Sequence, residues 1–91
     1  MADSKKNVFF IGGYSYAVDK SIPLCRHEDF FRSTILYQSP NGRFFVVEND
    51  AADTTAVKVL SKSDAKTFMD EHPAGIFTEN YIRVFGQPKQ G

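Results

Sequence analysis

Cys25-Arg26-His27 places a thiol two residues from an imidazole, the pair of groups from which a cysteine nucleophile is built. On a helix the two side chains would lie about 200° apart, so this spacing does not by itself assemble a thiolate and its base. A small enzyme using Cys25 and His27 is therefore a secondary reading, set beside a half-buried structural cysteine. Cys25, His27, Glu28, Asp29 and His72 are also metal-ligand types, yet none of them falls into a C-x-x-C or H-x-x-x-H clamp. His72 stands where a helix would end, and a basic side chain there complements the helix dipole. The neighbouring carboxylates Glu28-Asp29 and Asp70-Glu71 have no apolar pocket in view that would raise one pKa for acid–base work. Gly12-Gly13 is followed by neither phosphate-loop pattern. No catalytic residue, metal site, cofactor or small-molecule substrate is predicted.

The aromatic residues offer a different chemistry. Tyr14, Tyr16, Tyr37, Phe44 and Phe45, with Arg43 and Lys58 nearby, would suit a stacking platform for single-stranded RNA, each stacked base being worth about 1–3 kcal/mol. Charge argues against it: eleven Lys and Arg balance eleven Asp and Glu, and a chain that tracks phosphates needs a basic excess. The rings also have a competing use. A 91-residue chain forms one domain and hides only roughly 60–65% of its unfolded surface, so its nine Phe and four Tyr are needed in the core. A nucleic-acid-binding module is thus the first alternative rather than the main reading.

Other features bound the setting. The lone Cys25 can make no internal disulfide, which a secreted domain this small would normally need, so a reducing cytoplasm is expected. Lys5-Lys6 before Val8–Ile11 mimics a signal peptide, but that apolar run is four residues long against the ~7–15 of a signal core and the ~20 of a membrane span. Neither export nor a membrane is expected.

The elements follow from turn and cap chemistry. Residues 1–7 and 87–91 are polar and read as disordered tails around a single α+β domain over 8–86. Val8–Ile11 and Tyr14–Val18 flank Gly12-Gly13 as a hairpin, with one long bulged strand as the alternative. Asp19–Arg32 reads as a loop with one helical turn before Phe30-Phe31. Ser39-Pro40-Asn41-Gly42 fits a type I turn followed by a left-handed glycine, which pairs Tyr37 with Phe45 and Ile35 with Val47 on one face, and Leu36 with Val46 and Gln38 with Phe44 on the other. Ala56–Leu60 makes a third meander strand. Ser61 caps a helix over 62–72 whose stripe is Ala65, Phe68, Met69 and His72, and Pro73 stops it. Thr78 and Gly86 bracket a helix over 79–85, although Ile82–Phe85 would also serve as a strand.

The hairpin 35–48 thus carries large apolar groups on both faces. The expected architecture is an antiparallel sheet of about four or five strands with one or two helices on one face, their core being Ile35, Tyr37, Phe45, Val47, Phe68, Met69 and Phe85. The other face, Leu36, Gln38, Phe44 and Val46 with Arg43 at its edge, is then only partly covered by the N-terminal hairpin. Exposed apolar surface on a small domain marks contact, so that face is expected to meet a second copy of the chain or another protein.

Leu36 to Phe45, Leu60-Ser61-Lys62-Ser63-Asp64-Ala65-Lys66 and Tyr81 to Gly86 together resemble a unit of small uncharacterised bacterial and phage proteins, with an Asn-Gly aromatic hairpin, a Ser-capped helix and a terminal aromatic-Gly pair. The resemblance covers residues 35–86 and transfers no catalytic residue. It implies a cytoplasmic accessory or inhibitor protein, borne on a phage or plasmid and acting on a host complex.

Overall fold

The computed structural model describes residues 8–52 and 54–86; the expected terminal tails lie outside them. The fold is α+β. Strands β1 (Val8–Ile11) and β2 (Tyr14–Ala17) form a separate two-stranded hairpin. A 3₁₀ turn at Val18–Lys20 leads into β3 (Ile22–Glu28), β4 (Arg32–Gln38), β5 (Phe44–Asp50) and β6 (Thr55–Leu60), an antiparallel meander in simple sequential order. Helix α1 (Lys62–Glu71), a 3₁₀ turn at Pro73–Gly75 and helix α2 (Thr78–Phe85) complete the chain.

The two registers that turn chemistry sets are present. Ile11 pairs with Tyr14 and Phe9 with Tyr16, while Tyr37 pairs with Phe45 and Leu36 with Val46. At Ser39–Gly42 the amide of Gly42 donates to the Ser39 carbonyl (2.9 Å), the amide of Ser39 to the Arg43 carbonyl (2.7 Å), and Gly42 takes φ +85°. Ser61 caps α1 through its hydroxyl, which accepts from the Asp64 amide at 3.0 Å. Thr78 does not cap α2: that helix begins at Thr78 behind Phe77, with no side-chain cap.

Asp19–Arg32 departs from the expected loop. Most of it is β3, whose polar run Arg26-His27-Glu28 hides the strand pattern because this is an edge strand with one side toward solvent. A register shift between Pro23 and Cys25 buries both Leu24 and Cys25. The outer edge of β3 is closed by the segment between the helices. The Phe77 amide donates to the Leu24 carbonyl (2.9 Å), Asn80 Nδ2 donates to the Pro23 carbonyl (2.9 Å), and Ile76 bridges Cys25. Gly75 is required for this approach, since a Cβ there would stand 1.7 Å from the Arg26 carbonyl oxygen.

Both faces of the meander are covered, and the faces are exchanged relative to expectation. The helices pack on Leu24, Cys25, Leu36, Phe44 and Val46, joined by Ala65 and Met69 and flanked by Phe68 and Phe85. Phe45 and Val47 lie on the opposite face with Tyr16 under the β1–β2 hairpin, Tyr37, Val57 and Val59 around them. Tyr16 and Tyr37 both pack on the Phe45 ring, with centroids 5.2 and 5.3 Å away. Ile35 takes no part in the helix-side core. Alternation along β4 and β5 separates the two sets of side chains; it carries no information on which set the helices take, because both are apolar.

Candidate binding surfaces

The expected contact face is closed. Leu36 is 0% exposed and Phe44 and Val46 are buried, all beneath the chain's own helices; Phe44 stacks on Phe85 at 5.8 Å. Gln38 is half-buried at the end of β4. Arg43 is exposed, but its guanidinium lies 3.7 Å above the Tyr14 ring, tying the β4–β5 turn to the N-terminal hairpin. The stacking platform is spent in the same way, with Tyr16, Phe44 and Phe45 inside the protein and Tyr14 beneath Arg43.

Alternate residues of β3 share its helix-covered face, which brings Cys25 and His27 to the same side. They are still not a catalytic pair in this structure. The Cys25 thiol is buried, donates to the His72 carbonyl at 3.3 Å, and is pushed above its ordinary pKa by burial, which a hydrogen bond from the Arg26 backbone offsets in part. Both features disfavour the thiolate. The His27 ring stacks on His72 at 4.0 Å, fastening β3 to the end of α1. Among the described residues no three His, Cys, Asp or Glu side chains gather closely enough to hold a metal ion.

Exposed apolar surface lies elsewhere: Phe10 stands out from β1 at 81% exposed, and two adjacent rings project from the β3–β4 turn. Phe30 is 97% exposed and Phe31 73% exposed, their rings edge-to-face with centroids 6.4 Å apart. The turn is organised by Asp29. Its Oδ1 accepts from the amides of Phe31 and Arg32, both at 2.9 Å, and its own amide donates to the Arg32 carbonyl at 3.0 Å. Those two amides, Phe31 first, hold the Asp29 carboxyl below its ordinary pKa, with small further lowering from His27 and Arg32. Below the tip, Arg26 pairs with Glu28 at the surface. Both rings are thus presented by a side chain that supplies the turn bonds they cannot make. The Asp29-Phe30-Phe31-Arg32 string was in plain view in the sequence. The usable signal was an Asx turn with two aromatic residues at positions that Gly, Asn or Ser usually fill.

A second feature is concave. Between α1 and α2 runs a groove of about 490 Å³ lined by Lys66, Met69, Asp70, Pro73, Ile76, Thr78, Tyr81 and Ile82. Its floor is apolar, and a cation and a carboxylate from α1 stand on its rim.

These features define a small α+β domain with two adjacent exposed rings at a hairpin tip. No family model matches the chain, and neither the curated proteins nor the solved structures include a match to it. No helix among the described residues is long and apolar enough to cross a membrane.

Proposed function

We propose that this chain is a non-enzymatic protein-binding module that docks through Phe30 and Phe31. The observation that carries the reading is the exposure of two adjacent rings at a turn whose hydrogen bonds all run to Asp29. The phenyl side chains contribute nothing to the turn bonds, and both rings stand clear of the core. Together they present on the order of 300 Å² of apolar surface. Burying it in a partner's cleft would release about 7 kcal/mol before the cost of association, enough to anchor an interface. Arg26 with Glu28 and Asp29 with Arg32 give the base of the tip balanced charge, which favours a protein cleft with a mixed polar rim over an anionic surface such as nucleic acid or acidic lipid. The accessory or inhibitory role implied by the family resemblance fits a module of this kind, acting on a larger complex by occupying one of its clefts.

A photo-crosslinking side chain at position 30 tests the proposal in extract of the source cells. A discrete protein adduct is expected, displaced by excess unlabelled wild type and not by the Phe30→Ser, Phe31→Ser variant. Absence of a displaceable adduct, or tip-dependent binding to phosphatidylcholine vesicles in its place, would overturn the reading.

A further inference from the structure

We propose that the partner of the tip is a second copy of this chain: Phe30 and Phe31 of each copy seat in the α1–α2 groove of the other, in a reciprocal two-fold dimer. This rests on the preceding reading of the tip as a protein-docking site, and it names the protein. The chain carries both halves of such a contact. One half is the convex pair of rings, and the other is the apolar-floored groove of about 490 Å³, within the range of sites that enclose ligand groups of this size.

Charge is complementary across the two halves. Asp29 and Arg32 flank the rings, while Lys66 and Asp70 flank the groove, so each half offers one carboxylate and one cation to its opposite. The zero net charge lets two copies approach without overall repulsion.

Position favours reciprocity. The Pro73 end of the groove is held against β3, through Gly75 on the Arg26 carbonyl and His72 on His27. Phe30 stands three residues beyond His27, in the turn that follows that strand. The Pro73 end of the groove therefore lies toward the tip, an arrangement compatible with a two-fold exchange. Area points the same way. A single insertion covers on the order of 600 Å² counting both partners, below the range of stable interfaces, whereas two together reach about 1,200 Å², its lower limit.

Sedimentation velocity over a concentration series tests this. Wild type is expected to be a monomer–dimer equilibrium with dissociation in the micromolar range. Phe30→Ser with Phe31→Ser should weaken the dimer at least ten-fold, and so should Ile82→Lys in the groove. The exposed Asp70→Lys serves as a second groove variant should Ile82→Lys disturb helix packing. The deciding sample is a 1:1 mixture of tip and groove variants. Each is monomeric alone, and their mixture should form a heterodimer at millimolar concentration, weaker than the wild-type dimer, because one copy keeps its tip and the other its groove and so one of the two insertions is restored. A wild type monomeric at about 1 mM, a dimer indifferent to the tip, or a mixture that stays monomeric would overturn the proposal. A monomeric wild type that still gives a displaceable crosslink from position 30 to another protein removes only the second copy as partner. A monomer giving no such crosslink removes the docking reading as well.

Discussion

Strand β4 ends in two turns built on opposite principles. At Ser39–Gly42 the backbone itself makes the turn: Pro40 presets one corner, Gly42 takes φ +85°, and the buried Ser39 hydroxyl accepts from the Arg43 amide at 3.2 Å. At Asp29–Arg32 one carboxylate ties the turn, and the corners are given to two exposed phenylalanines. The first turn uses its residues to fix register and to place Arg43 on Tyr14, so its side chains are accounted for by the fold. The second fixes register with Asp29 and has two residues left over. Side chains that a turn does not need are where selection for binding has room to act.

Gly42→Ala gives the largest effect of the substitutions that probe this contrast. No atom lies within 4 Å of a Cβ at Gly42, so the cost is backbone strain alone, about 1–2 kcal/mol for a left-handed alanine. Thermal unfolding should show a midpoint lowered by roughly 4–8 °C for each kcal/mol. An unchanged midpoint would mean that the β4–β5 turn does not hold the register, and the contrast would fail.

Turn chemistry is also where the sequence was most legible. Ser39-Pro40-Asn41-Gly42 and Gly12-Gly13 determine which residues face each other, and Ser61 determines where α1 starts, because each rests on contacts within a few residues. The choice of face was not legible. Leu36, Phe44 and Val46 on one side and Tyr37, Phe45 and Val47 on the other are equally apolar, and only long-range packing of α1 and α2 decides between them. Strand β3 was hidden for a related reason, since its edge is closed by the Phe77 amide and the Asn80 side-chain amide, bonds that leave no periodic trace. The apolar residues of the two-faced hairpin, Leu36, Phe44 and Val46, are consumed by the fold itself. Phe30 and Phe31 carry the clearer sign, two large apolar side chains beside an Asx turn.

A smaller effect is expected at Asp29, and its sign depends on pH. The folded-state pKa is depressed by the Phe31 and Arg32 amides, so the carboxylate contributes stability above its unfolded pKa of ~3.9, and the contribution is lost as pH falls through the lower folded value. Asp29→Ala should therefore lower the unfolding midpoint near neutral pH by less than Gly42→Ala does. The gap to wild type should close as both proteins are acidified below the ordinary carboxylate range. A gap independent of pH would show that the turn draws no support from the ionised side chain.

Phe30→Ser with Phe31→Ser should change stability least and binding most. Exposed side chains that touch little of the core contribute little to folding, and serine suits a turn, so the unfolding free energy should stay within about 0.5 kcal/mol of wild type in urea. The Ser39–Gly42 turn cannot show this separation, because a variant that strains it alters the sheet register along with any surface it supports. A loss of more than about 1 kcal/mol on removing the rings would place them in the fold's own packing, and the two ends of β4 would then differ in appearance only. Retained stability together with lost docking is the result that separates a side chain kept for the structure from one kept for a partner.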